Sequence, residues 1–198
     1  MKPALPHLTR LSLPLLTLLL VPSLAQAHVG AGGTHAFSHG VLHPLGGLDH
    51  LCAMLAVGLW AAQMGGRALW AVPLTFVGVM TLGGVAGMFG WDLPLVEPGI
   101  VLSVLLLGVL IAAAVRLPLP ASMILVGLFA LFHGHAHGTE MPFDASGFAY
   151  ATGFVLTTAF LHAIGIGAGI GLQKLVSPVG VRFAGAAIAL CAGWIWLG

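Results

Sequence analysis

Charged side chains are scarce in this chain, which has six Lys or Arg and five Asp or Glu among 198 residues. They make up 6% of the sequence, against about 25% in a typical soluble domain. Hydrophobic residues make up 59%, and the mean hydropathy is +1.09. This composition excludes an ordinary soluble domain and indicates an integral membrane protein. The formal net charge of +1, with no basic patch, gives no reason to expect nucleic acid as a partner.

Cysteine and nucleotide-binding signals are also nearly absent. Cys52 and Cys191 both lie in apolar stretches, so the sequence predicts neither a disulfide framework nor a cysteine metal site. No glycine-rich loop ends in Gly-Lys-Ser or Gly-Lys-Thr, the phosphate-binding signature of P-loop proteins. We therefore do not expect the chain to hydrolyse nucleotides itself. No ATPase subunit and no prosthetic group are implied.

The first 27 residues have the three parts of a secretory signal peptide. Lys2 and Arg10 precede and flank a short apolar run, and Ala25-Gln26-Ala27 is a small-residue cleavage site. The run is too short to span a bilayer comfortably. We expect cleavage after Ala27, which would leave residues 28–198 as the mature membrane permease domain. An uncleaved anchor helix is the alternative.

Six apolar stretches follow the signal, each about long enough for a membrane helix of roughly 20 residues. They lie near residues 46–64, 68–90, 99–115, 118–137, 147–172 and 180–197. The sequence thus predicts an all-α integral membrane protein, a six-helix transmembrane bundle after a cleavable N-terminal signal peptide. Glycines are dense in the second and fifth stretches, which favours close helix packing. Local unwinding beside a substrate path is the alternative.

The distribution of charges predicts the orientation of the bundle. If the mature N-terminus is outside, every mature Lys and Arg lies in a cytoplasmic turn, as the positive-inside rule requires. These residues are Arg67, Arg116, Lys174 and Arg182, whereas the outer loops contain Asp92, Glu97, Glu140 and Asp144. Trp60 is expected near the inner interface. We therefore expect a multi-pass protein of a bacterial inner membrane with both mature termini in the periplasm.

Two histidine-rich segments lie at the outer ends of the first and fourth predicted spans. They are His43-Pro-Leu-Gly-Gly-Leu-Asp49-His50 and Phe132-His133-Gly-His135-Ala-His137-Gly-Thr-Glu140. Ionisable side chains are costly inside a bilayer and usually mark a functional site there. Imidazole with carboxylate suits borderline divalent transition metals, whereas Mg²⁺ and Ca²⁺ prefer oxygen ligands. The segments therefore predict a metal site.

Helical spacing predicts how the members of each segment are arranged. His43 precedes His50 by seven residues, so if the helix extends that far both lie on nearly the same helix face, with Pro44 in the first turn. If the helix persists through the second segment, three of its side chains would form one stripe along a single helix face, with His135 pointing elsewhere. The stripe consists of His133, His137 and Glu140. The glycines between them could instead unwind the helix.

Further histidines lie deeper and farther out than the two segments. His162 is expected near the bilayer midplane. A flexible glycine-rich outer arm would carry His28, His35 and His39. Such a descending series suggests uptake rather than a sealed site. Bland alternatives remain for each part: His162 as a helix–helix hydrogen-bond partner, the arm as a solvated tail, and Asp49 with His50 as a structural ion pair.

The two segments resemble the two motifs of the HupE/UreJ family of nickel/cobalt permeases. The first has a histidine followed after five residues by Asp-His, and the second is the stretch from Phe132 to Glu140. The likeness extends through Leu95-Val96-Glu97-Pro98-Gly99 and the six-helix plan. It implies secondary uptake of Ni²⁺, or Co²⁺, for nickel enzymes such as hydrogenase or urease. It also implies required or metal-contacting roles for His43, Asp49, His50, His133, His137 and Glu140.

Such a permease needs no pump, because a divalent cation entering a negative interior gains about 4.6 kcal/mol per 100 mV. Its affinity should fall as the pH drops toward 6, since ligating imidazoles must be neutral. An intramembrane zinc-dependent hydrolase with Glu140 as general base is the alternative from another class. A metal-storage or accessory protein, which would bind without flux, is a third. The spread of ligands in depth favours transport, but does not separate nickel from cobalt or zinc.

Overall fold

Seven α-helices make up nearly all of the computed structural model, which describes residues 33–141 and 145–197. They are α1 Gly33–Gly46, α2 Leu48–Met64, α3 Ala68–Met88, α4 Val96–Ala112, α5 Leu119–Thr139, α6 Ala145–Gly171 and α7 Pro178–Leu197. A π-helical turn, Leu172–Val176, follows α6. Within the described residues all regular structure is helical, which confirms the all-α prediction. The predicted signal peptide, His28 and Asp144 lie outside these residues.

Four helices are long and apolar enough to cross a bilayer: α3, α5, α6 with its π-helical turn, and α7. The bent pair α1–α2 is a fifth candidate, and α4 is apolar but only 17 residues long. Helix α4 ends at Ala112 because the chain reverses there, with Ala114 in the left-handed region at φ 55°. Large apolar side chains such as Leu74, Phe183 and Leu190 are exposed on the outside of the bundle. The protein is thus a multi-pass membrane protein with four or five candidate spans among its described helices, where the sequence predicts six.

The chain bends by 80° between α1 and α2 at Gly47, which has an extended backbone. The prediction that His43 and His50 share one helix face is therefore wrong, because they lie on different helices. Pro44 lies in the last turn of α1 and not in a first turn. Helix α1 turns aside because it packs on α6, where a Cβ on Gly40 would overlap the carbonyl oxygen of Tyr150. The prediction of a flexible arm is also wrong for residues 33–46, because these residues form a helix.

Glycines mediate the closest helix contacts, as the packing interpretation predicted. A Cβ on Gly83 or Gly87 of α3 would lie 2.6 Å from a backbone oxygen of α5. In the opposite direction, a Cβ on Gly134 or Gly138 of α5 would overlap a backbone oxygen of α3. Similar contacts join α2 to α6 and α4 to α7. Helix α5 continues to Thr139, so Gly134 and Gly138 pack and do not unwind it.

Three side chains bind carbonyl groups at the C-terminal end of α4 or within three residues beyond it, where helical carbonyl groups lack partners within the helix. Trp60 Nε1 donates to Val115 at 3.0 Å, Gln63 Nε2 to Ile111 at 3.1 Å and Arg182 Nε to Ala112 at 2.8 Å. Trp60 is fully buried, so it is part of the core and not of an interfacial belt.

Elsewhere, the free thiols of Cys52 and Cys191 lie 3.5 Å apart across α2 and α7.

Candidate metal-binding site

The outermost group of ligands joins α1 to the end of α5. The ligand atoms of His43, His137 and Glu140 all lie within 4.8 Å of one another. His43 Nε2 is 3.7 Å from Glu140 Oε2, and these two side chains are exposed whereas His137 is buried. Two ligands about 2.1 Å from one ion lie at most about 4.2 Å apart. A modest contraction would therefore let all three contact one ion.

His50 is oriented by the residue before it. Asp49 Oδ1 accepts hydrogen bonds from His50 Nδ1 at 2.9 Å and from the His50 backbone N–H at 2.7 Å. A carboxylate cannot donate, so Nδ1 carries the proton and Nε2 carries the lone pair. Among the described residues His50 Nε2 is buried without a hydrogen-bond partner. Carboxylate–histidine pairs of this kind orient metal ligands.

His133 lies one helical turn below His137 and is completely buried. Its ring centroid is 4.7 Å from that of His50, which in turn is 4.3 Å from that of His137. His133 Nε2 is 2.8 Å from Ser103 Oγ on α4, and Nδ1 has no partner in the described part of the chain. The sequence analysis missed Ser103. Its one signal is that it is the sole polar residue of α4 after Glu97.

His162 on α6 extends the series away from the outer group. It is 1% exposed, and neither ring nitrogen has a hydrogen-bond partner among the residues described. The ring of Phe76 contacts both deeper histidines, with centroids 5.1 Å from His162 and 5.7 Å from His133. The helix–helix hydrogen bond considered from the sequence is therefore not made within residues 33–141 and 145–197.

The remaining predicted positions lie apart from this cluster. His135 Nε2 donates to the carbonyl oxygen of Trp91 at 2.6 Å, so its ring anchors α5 to the α3–α4 loop. This agrees with the expectation that His135 points elsewhere. His35 and His39 are exposed on α1. The structure thus brings together His43, Asp49, His50, His133, His137 and Glu140, with His162 beyond them.

Two helix ends meet at the cluster. His133 and His137 lie in the last two turns of α5, where the exposed carbonyl groups carry partial negative charge and favour a cation. His50 lies in the first turn of α2, where the unpaired N–H groups carry partial positive charge and disfavour a cation. Asp49 lies in that same turn and offsets this positive end. The cluster is therefore suited to a cation overall.

A cavity of about 350 Å³ adjoins the outer group between α3, α5 and α6. Its lining is largely apolar, and His137 forms part of the wall. Tyr150 and Phe154, which the sequence analysis did not single out, also line it and contact the His43 ring. The Tyr150 hydroxyl is buried and has no hydrogen-bond partner among the described residues.

Comparison with known proteins identifies the family. The family model described as HupE / UreJ protein matches residues 16–195. The chain belongs to the HupE/UreJ family. Among curated proteins, "Protein HupE" of Rhizobium leguminosarum bv. viciae is 46% identical over 185 residues, which are 92% of this chain and 95% of that protein. No solved structure matches the chain.

Membership of the HupE/UreJ family confirms the resemblance that the two histidine segments indicate. It fits a role in nickel or cobalt uptake associated with hydrogenase or urease, in general terms, and is consistent with a membrane metal transporter. The geometry adds what a family match alone does not give. It shows which ring nitrogens of the HupE/UreJ chain have partners and which are left with none.

Proposed function

We propose that this protein takes up Ni²⁺, or Co²⁺, across the bacterial inner membrane through the histidine series described above. Among the described residues His135 Nδ1 is also buried without a hydrogen-bond partner, but His135 lies apart from the cluster. The observation that carries the proposal is the set of such nitrogens within the histidine series itself: His50 Nε2, His133 Nδ1, and both nitrogens of His137 and His162. Leaving buried polar groups unpaired is costly, and such groups call for an explanation. Transient metal binding explains all of them together.

The order of the ligands gives a route. The exposed pair His43 and Glu140 would receive the hydrated ion and, with His137, replace part of its water shell. His50 lies within ring contact of His137, His133 lies within ring contact of His50, and His162 follows across Phe76. Each step replaces one imidazole ligand by a neighbouring one, so the ion need not become free inside the bilayer. The membrane potential supplies the direction.

The sidedness of this route follows from the charge pattern. With the outer group in the periplasm, Arg67, Arg116, Lys174 and Arg182 lie on the cytoplasmic side, in agreement with the positive-inside rule. Both mature termini are then periplasmic, which requires the bent pair α1–α2 and the 17-residue α4 each to cross the bilayer. Metal would enter from the periplasm and be delivered to nickel enzymes such as hydrogenase or urease.

Uptake of radiolabelled nickel into cells expressing the chain tests this function. We expect flux in the parent and less than a tenth of it in Asp49→Asn and His133→Ala at matched membrane abundance. His135→Gln is the matched control, because it removes an imidazole from the same helix end but keeps a donor for the Trp91 carbonyl. Absence of flux in a well-expressed, metal-binding parent would overturn the proposal and favour an accessory or storage role.

A zinc-dependent hydrolase is the second candidate, because the apolar cavity adjoins a group of three ligands. In that case Glu140→Gln should abolish hydrolysis of an apolar ester by the zinc-loaded protein while zinc binding persists. In a permease Glu140→Gln should weaken metal binding and flux together. The continuation of unpaired imidazoles to His162, beyond the cavity, favours the permease.

A further inference from the structure

We propose that Ser103 fixes the tautomer of His133, so that His133 offers Nδ1, and not Nε2, to the metal. Ser103 would then be a positioning residue for transport. The consequence for transport rests on the proposed function, whereas the tautomer itself does not. The argument depends on a single proton, the one on the Ser103 hydroxyl.

The hydroxyl proton of Ser103 already has an acceptor. Ser103 Oγ lies 2.6 Å from the carbonyl oxygen of Ile100, which can only accept. A serine hydroxyl has one proton, so with that proton on Ile100 the oxygen can only accept from His133 Nε2 at 2.8 Å. Nε2 of His133 therefore carries the proton, and Nδ1 carries the lone pair.

The opposite tautomer fits the surroundings poorly. With its proton on Nδ1, His133 would have a buried N–H with no acceptor among the described residues. Ser103 would have to donate to Nε2, which would leave its oxygen facing the Ile100 carbonyl oxygen at 2.6 Å without a proton between them. The opposite tautomer therefore loses one hydrogen bond and leaves one N–H without an acceptor, in a site with no exposed surface.

Helix packing holds the two partners in register. One turn before Ser103, Gly99 on α4 accommodates the ring of Phe132, where a Cβ would lie 2.7 Å from that ring. Phe132 is the residue next to His133, so the contact between α4 and α5 is fixed beside the hydrogen bond. Ser103 is fully buried, and it has no room to exchange the partner for water.

His50 and His133 thus offer different ring nitrogens to the metal. His50 has Nδ1 occupied by a carboxylate and offers Nε2, whereas His133 has Nε2 occupied by a neutral hydroxyl and offers Nδ1. A carboxylate partner makes an imidazole a stronger ligand than a hydroxyl partner does. The deeper ligand is therefore the weaker one, which favours passing the ion onward.

Nitrogen-15 NMR of histidine-labelled, metal-free protein in lipid at about pH 8 tests the tautomer. The His133 signals are assigned by their loss in His133→Gln. We expect a protonated Nε2 and an unprotonated Nδ1 in the parent and in Ser103→Thr, and a mixture of tautomers in Ser103→Ala. A protonated Nδ1 in the parent, or a His133 signal unchanged in Ser103→Ala, would overturn the proposal.

Nickel uptake tests the positioning role separately. Ser103→Ala should raise the nickel concentration for half-maximal uptake by roughly tenfold at matched abundance, and Ser103→Thr should stay near the parent. Ser122→Ala is the control, since Ser122 is a fully buried serine that contacts Met64 and not a histidine. Normal uptake by Ser103→Ala would refute the positioning role. If the parent itself shows no flux, the proposed function fails and the NMR result still decides the tautomer.

Discussion

Asp49 is the residue whose role is most sharply defined by its contacts. It accepts two hydrogen bonds from His50 and occupies the positive end of α2. Asp49→Ala should weaken Ni²⁺ binding by roughly 10- to 100-fold, because the His50 ring loses its orienting partner. Calorimetric titration of the purified protein in lipid nanodiscs measures this. Asp92→Ala, in an exposed loop, is the control, and an unchanged affinity in Asp49→Ala would return Asp49 to a purely structural role.

Individual ligands could be found from the sequence because their types are rare in an apolar chain. The positions in the two histidine segments stood out by chemistry, and spacing placed His135 apart from His133 and His137. Ser103 and Tyr150 could not be found in this way. A serine or tyrosine in a membrane helix is common, and its role here depends on which helix lies opposite, which local spacing does not encode.

At the scale of helices, the contact between α3 and α5 sets the position of two site histidines. Gly134→Ala should push the helices apart, because the new methyl group would overlap the Met80 carbonyl oxygen. We expect a lower unfolding temperature and loss of nickel uptake. Gly127→Ala on the same helix is the matched control, since its methyl group would lie 3.5 Å from side-chain carbons of Thr75 and Val79. Equal effects of the two substitutions would contradict the packing argument.

The hydrogen bond from Trp60 to Val115 allows a test of the inner end of α4. Trp60→Phe removes the donor and leaves the part-buried Val115 carbonyl with one fewer partner, at a cost of about 1 kcal/mol. We expect the thermal unfolding midpoint to fall by a few degrees while nickel uptake at lower temperature stays unchanged. Trp70→Phe, whose ring is exposed, should change neither quantity. A loss of uptake in Trp60→Phe without a change in stability would contradict this structural role.

The existence of α2 to α7 was predictable here, but helix α1 and the bend at Gly47 were not. Long apolar stretches and the loops between them gave α2 to α7 within a few residues. The first predicted span began at residue 46, and extending its helix back to His43 would carry it straight through the Gly46-Gly47 pair. The bend arises because α1 packs on α6 at Gly40, more than 100 residues earlier in the chain than its partner Tyr150. A pattern read along one segment does not contain that contact.

Transport by the whole molecule should respond to voltage. In proteoliposomes with a potassium diffusion potential of 100 mV, negative on the cytoplasmic side, a divalent cation gains about 4.6 kcal/mol. We expect radiolabelled nickel to accumulate by about three orders of magnitude without a pH gradient. Reversing the potential is the control and should abolish accumulation. Accumulation that requires a pH gradient and ignores the potential would contradict potential-driven uptake.

Composition and charge gave the class of molecule, whereas the predicted count of six spans is not confirmed by the described helices. The scarcity of charge implied a membrane protein, and the described helices agree. The sequence treated every apolar stretch as an independent crossing, whereas α4 is cut to 17 residues by the reversal at Ala114 and α2 is reached through a bent partner. Chain reversals of this kind depend on backbone conformation, which hydropathy does not report.

The close packing of α5 on α3 at Gly134 and Gly138 limits how the two helices can move relative to each other. The carbonyl groups of Met80 and Gly84 on α3 occupy the space that the missing side chains of Gly134 and Gly138 leave on α5. Helix α5 cannot slide along α3 without first moving away from it, because the Cβ atoms of the residues between Gly134 and Gly138 would collide with those carbonyl groups. His133 and His137 are therefore fixed in height relative to α3. Any motion of these two histidines relative to His43, His50 and His162 therefore has to be shared by α3 and α5 as one unit.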